Sequence, residues 1–158
     1  MDARARGFSF IELIACLAII AVLLMIATPV AQTSLQRTKE AELRAALAEI
    51  REAIDRYKRA SDQGRITMEI GDSGYPPDLV VLVDGVVDAA SPKGHKLYFL
   101  RRIPRDPMYP GKQSDNAATW GLRSYESPPD DPREGDDVFD VYSLSARTGL
   151  DGIAYRDW

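Results

Sequence analysis

Cysteine is almost missing from this chain. Cys16 is the only one, which excludes an intrachain disulfide and any cysteine-built zinc site. Lying inside an apolar run, it reads as a small buried hydrophobe. Histidine is equally scarce: His95 stands alone in the turn-like stretch Ser91-Pro92-Lys93-Gly94-His95-Lys96. No Gly-x-Ser-x-Gly elbow, Walker A loop or dinucleotide glycine pattern occurs, so the sequence offers no enzyme signature and a non-enzyme is expected. An excess of basic charge is also lacking. The formal net charge is −4, which leaves no patch able to neutralise several phosphates and argues against nucleic-acid binding.

Charge is absent altogether from Leu13 to Val30. At ~1.5 Å per residue this run and its flanks are long enough to cross a ~30 Å hydrocarbon core. Arg4 and Arg6 precede it and would hold the N-terminus on the cytoplasmic side, although Arg37 and Lys39 beyond the run weaken that asymmetry. The expected topology is a single pass of the bacterial inner membrane, N-terminus in and C-terminal part in the periplasm. A cleavable secretory signal is a poor description, because the apolar core runs into a charged, helix-prone segment with no small-residue cleavage site. Leu13-Ile14-Ala15-Cys16 has the form of a lipobox, yet here the apolar core follows the cysteine rather than preceding it.

The remaining reading turns on Gly7-Phe8-Ser9-Phe10-Ile11-Glu12. This hexapeptide resembles the recognition sequence of type IV prepilins and of type II secretion pseudopilins. In that family a short basic leader ends in Gly, Phe usually follows, and a Glu stands five positions after the cut. The resemblance implies that a prepilin peptidase removes Met1 to Gly7 by cutting between Gly7 and Phe8, and that Phe8 is then N-methylated. It also implies assembly through Phe8 and Glu12. An ionisable group in a membrane span costs about 2.5–3.5 kcal/mol on insertion scales. Glu12 near the headgroups escapes much of that cost in the precursor. In a bundle of helices it needs a cation, and trimming creates one in the Phe8 amine. Pairing with a neighbour would set axial register.

Past the apolar run, Leu43, Leu47, Ile50, Ile54 and Tyr57 form a narrow apolar stripe of heptad type, widened by Ala46, Ala53 and Ala60. A helix from about Phe8 to about Ala60 would be ~80 Å long at ~1.5 Å per residue. Gly64 is placed to end it, and Pro29 permits a kink or local melting. Four regions are expected: a leader over 1–7, a transmembrane and assembly helix over 8–31, an amphipathic helix over 32–60, and a periplasmic head over 61–158.

The head is rich in Gly and Pro. Gly74-Tyr75-Pro76-Pro77-Asp78 reads as a turn. Leu79 to Val83 suits a strand by β-branched content or a short helix capped by Asp78, and the family resemblance favours the helix. Two strands are expected, Thr119–Tyr125 and Asp137–Ser143, the second with Phe139 and Val141 on one face and Val138, Asp140 and Tyr142 on the other. The fold class is therefore α+β, pilin-like, with the long N-terminal helix packed on a small antiparallel sheet. The acidic stretch from Pro128 to Asp137 reads as a solvated loop.

"Asp-Val-Tyr-Ser" at 140–143, the Gly/Asp-containing tail and the final Asp157-Trp158 resemble the end of major type II secretion pseudopilins. That likeness implies a homopolymeric periplasmic fibre working with minor pseudopilins and an inner-membrane assembly platform. It also implies calcium in the loop after the last strand, with Leu144, Asp151 and Asp157 as ligands. Calcium takes about six to eight oxygens, so carbonyls or water would have to supply several. Arg147 and Arg156 oppose it, and the simpler reading is a solvated turn pinned by Tyr155 and Trp158. A surface type IV pilus subunit and a membrane-anchored periplasmic binding module that never polymerises both remain open.

Overall fold

The computed structural model describes residues 9–158, apart from the side chains of residues 26–31. It contains a long helix α1 (Phe10–Asp62), a short helix α2 (Val81–Asp84), and four strands: β1 (Val86–Val87), β2 (Lys96–Leu97), β3 (Trp120–Arg123) and β4 (Asp140–Ser143). The chain divides into two compact units, Met1–Thr38 and Lys39–Trp158, and α1 contributes to both. The expected leader and Phe8 lie outside the described residues, whereas the local melting that Pro29 would permit does not occur, since α1 runs unbroken through that position. Among the described residues, no helix is long and apolar enough to cross a membrane. The described part of the apolar run ends at Met25, so the expected 8–31 span falls partly outside those residues.

In the second unit, the portion of α1 after Lys39 is built from Ala, Glu, Arg, Leu and Ile with no Gly or Pro, a composition favouring helix. Its apolar stripe is the backbone of the core. Leu43 and Ile50 are wholly buried, with Leu47, Ala53, Ile54 and Tyr57 beside them. Leu79 and Leu82 from around α2, Phe99, Trp120, Val138, Val141 and Tyr155 complete the cluster. Each fully buried aliphatic side chain is worth about 1.5–3 kcal/mol. The helix stops in a Schellman turn. Gly64 sits at φ 69°, its N–H donates to the Ser61 carbonyl, and the Arg65 N–H donates to the Ala60 carbonyl.

After the 74–78 turn the chain is helical, as the family likeness favoured. The Asp78 carboxylate accepts the Val81 N–H at 2.8 Å, so the acid caps the turn that leads into α2. β3 and β4 pair antiparallel with Trp120 opposite Ser143 and Leu122 opposite Val141. Both are shorter than the expected strands. This corrects the alternation proposed for 137–143: Val138 and Val141 are both buried, because Val138 lies before β4 and donates its N–H to the Pro76 carbonyl instead of joining the ladder. Gly121 faces Tyr142 across the pair, where a Cβ would come within 2.3 Å of the ring. The second sheet, β1 with β2, is only two residues deep and was not expected. Thus the head carries two separate two-stranded antiparallel sheets rather than one.

The link from α1 to the β1–β2 hairpin is polar. Asp88 accepts two bonds from the Arg65 guanidinium and one from the Ala90 N–H. The Arg65 hydrogen bonds hold the Asp88 carboxyl below its ordinary value of 3.8, against a smaller opposing effect of desolvation. A depressed carboxyl stabilises the fold fully above that ordinary value and loses the contribution as pH falls through the folded value. Melting curves of the parent and of Asp88→Asn should therefore lie apart at about pH 5 and draw together as the pH falls below that ordinary value. A gap that stays constant over this window would contradict the assignment.

Candidate assembly segment and C-terminal clamp

The N-terminal segment begins with a helix cap. Ser9 precedes α1; its Oγ accepts the Glu12 N–H at 3.4 Å, and the Glu12 carboxylate accepts the Ser9 N–H at 3.5 Å. This is the reciprocal capping box of a Ser-x-x-Glu sequence. Ser9 was missed in reading the sequence, although the three-residue spacing to Glu12 announces it. Glu12 is exposed, and it is the one charged residue between Phe10 and Met25. Around it Phe10, Ile11, Leu13, Ile14, Leu17, Ile20 and Leu24 are all about half exposed or more. Cys16 is exposed as well, which corrects the buried role expected for it. Within its own unit this stretch is a carboxylate set in uncovered hydrocarbon. Gly7 and Phe8, the expected cleavage and methylation positions, lie outside the described residues.

Residues 2–28 match the prokaryotic N-terminal methylation motif. The chain has a prepilin-type N-terminus. The motif indicates a type IV pilin-like prepilin processed by a peptidase. No curated protein and no solved structure matches the chain.

The second constellation is in the head, where α1 meets the loop after β4. Glu40 continues the stripe of Leu43, Leu47 and Ile50 by one step of three residues, and it is just as buried, at 3% exposure. A carboxylate at a core position requires donors. The loop brings them: the Leu150 N–H and the Tyr155 hydroxyl each donate to Glu40 Oε1 at 2.9 Å. One turn on, Arg44 donates to Asp151 Oδ2 at 3.2 Å and lies over the Trp158 ring, its guanidinium carbon 4.0 Å from the centroid. Further along, Arg51 donates to Asp140, to the Val141 carbonyl and to the Trp158 main-chain oxygen. The loop itself is closed by a bridge between Thr148 and Ala154 and by a 3-10 turn over Tyr155–Asp157.

These residues frame two clefts. Arg44, Leu47, Ala48, Arg51, Asp151 and Trp158 line one of about 390 Å³. Arg51, Arg123, Arg156, Asp130, Asp140 and Asp157 are among those lining the other, of about 250 Å³. Asp151 and Asp157 thus line different clefts. Asp151 Oδ1 accepts the Ile153 N–H while Oδ2 serves Arg44. Among the described residues, no group of three or more His, Cys, Asp or Glu is placed to hold a metal ion.

Buried polar groups elsewhere have structural work. Asp106, in the Pro104–Pro107 turn, accepts the Met108 N–H and the Ser143 hydroxyl, both at 2.7 Å, and so ties that turn to β4. Tyr75, Tyr125 and Phe139 stack with centroids 5.0–5.6 Å apart, joining the 74–78 turn to both ends of the acidic loop. The Ser124 N–H donates to the Arg133 carbonyl and closes that loop. Its acidic side chains are largely exposed, in keeping with a solvated loop.

Proposed function

We propose that this chain is the major pseudopilin of a type II secretion apparatus. It is inserted in the inner membrane by its apolar N-terminal helix, trimmed between Gly7 and Phe8, and polymerised into a periplasmic fibre. The role is mechanical and not catalytic: the growing fibre pushes secreted substrates outward, in partnership with the prepilin peptidase, minor pseudopilins and the assembly platform. The observation that carries the reading is Glu12, the one carboxylate in an otherwise uncharged and uncovered stretch, in the setting of the matched motif. Exposed apolar surface on that scale needs a cover. Lipid supplies it before assembly and identical helices supply it afterwards. The choice of secretion over a surface pilus draws on the likeness of Asp140–Ser143 and the terminal Asp157-Trp158 to major pseudopilins.

Two measurements test this. The mature protein should begin at Phe8 and carry one methyl group on that residue's amine. Deleting the coding sequence in the source bacterium should trap secreted proteins in the periplasm without removing any surface fibre. An untrimmed mass refutes the prepilin reading. Loss of surface fibres with secretion intact moves the assignment to a type IV pilus.

A further inference from the structure

We propose that Arg44 is the resident cation of the C-terminal loop, so that residues 147–158 are closed by a guanidinium from α1 in place of a metal ion. The inference is independent of which fibre the protein builds.

Asp151 is the acid best placed to hold a cation in the loop, and both its oxygens are in use, Oδ2 by Arg44 and Oδ1 by the Ile153 N–H. A divalent ion at Oδ2 would have to displace a guanidinium that is also stacked on Trp158. Trp158 shows how firmly that stack holds. Its indole Nε1 is buried and has no hydrogen-bond partner among the described residues, an unfavourable state that the ring adopts only if its faces and edges are well used. They are: Arg44 covers the ring, and Tyr155 meets it edge-on with centroids 4.9 Å apart at 81°. Gly149 makes room. A Cβ there would lie 2.5 Å from Trp158 Cζ2 and 2.6 Å from Asp151 Oδ1, so the absence of a side chain lets both partners of Arg44 approach the same point. Arg51 completes the arrangement from the next turns of α1 by binding the Trp158 main-chain oxygen and Asp140. Asp151 and Asp140 are thus each paired with an arginine of the helix.

The test uses the full-length chain in detergent, melted with excess calcium and with chelator, and followed by tryptophan fluorescence. The two parent transitions should coincide. Arg44→Ala should lower the transition by about 2–4 °C, the shift expected for a loss near 1 kcal/mol in a chain of this size. It should also hasten protease cleavage within 147–158 and red-shift the Trp158 emission. Gly149→Ala should reproduce these effects through steric separation of Trp158 and Asp151. If Arg44→Ala cannot be purified folded, Arg44→Lys retains the charge without the flat stacking fork and should give a smaller shift in the same direction. A calcium-dependent rise in the parent's melting temperature overturns the proposal. So does a parent-like loop, by both protease and fluorescence, in the Arg44 and Gly149 variants.

Discussion

Glu12→Ala should leave trimming intact and reduce fibre yield by about 100-fold or more. On the proposed assembly, the Phe8 amine created by cleavage would lie among apolar helices, and the carboxylate four residues later would be its partner in the same or a neighbouring copy. Removing one member of a buried ion pair typically costs about 3–5 kcal/mol, since the other charge is left uncompensated. At about 1.4 kcal/mol per factor of ten, even the lower figure is enough to stop polymer growth at a fixed subunit concentration. Glu12 also closes the capping box with Ser9, so a second variant is needed to separate the two roles. Ser9→Ala removes the side-chain half of that box, costs about 1 kcal/mol of local helix stability, and keeps the carboxylate. Its fibres should persist. Sedimentation and electron microscopy of both variants decide the matter: normal fibres from Glu12→Ala refute charge pairing, and an equal defect in Ser9→Ala assigns the effect to the cap.

Replacing Gly7 by a bulky residue such as Leu should give a precursor that keeps Met1–Gly7. A peptidase site fitted to a residue without a side chain rejects added methylenes by about tenfold or more. The measurement is the intact mass of membrane-extracted protein. Because the Phe8 amine is never released, assembly should fail as completely as in Glu12→Ala, though for want of the opposite charge. Normal trimming of the Gly7 variant would remove the leader assignment, and the pairing argument with it.

The features legible in the sequence are those with a period or a unique residue. The 3-4 spacing of Leu43, Leu47, Ile50, Ile54 and Tyr57 described the buried stripe of α1 correctly, and Gly64 marked its end, because helix periodicity and left-handed glycine caps are local properties. Trp120 and Val141 were placed in strands for the same reason. Less was visible where structure depends on distant chain. A pair as short as β1 and β2 has too few residues to show alternation. Val138 reads as part of a strand by composition, but its N–H is taken by Pro76, sixty-odd residues earlier. Glu40 stood in phase with the apolar stripe, yet its partners Leu150 and Tyr155 are more than a hundred residues away in sequence. Arg44 and Arg51 lie off the apolar stripe, and nothing nearby in sequence says that a loop with Asp151 and Trp158 will fold over them. In the assembly segment, Glu12 was conspicuous as a charge among hydrocarbons. Ser9 was obscured by the stronger signal beside it.

Burial of Glu40 has a consequence for how the molecule is made. Its Oε1 accepts from groups more than a hundred residues further along the chain. Until residues 150–155 are made, the Leu150 and Tyr155 donors are missing from the turn of the helix that precedes Leu43 and Leu47. Closure of the head is therefore a late step, set by contacts between segments more than a hundred residues apart. A nascent chain stalled before Tyr155 should remain an open, protease-sensitive precursor even though its long helix is already formed.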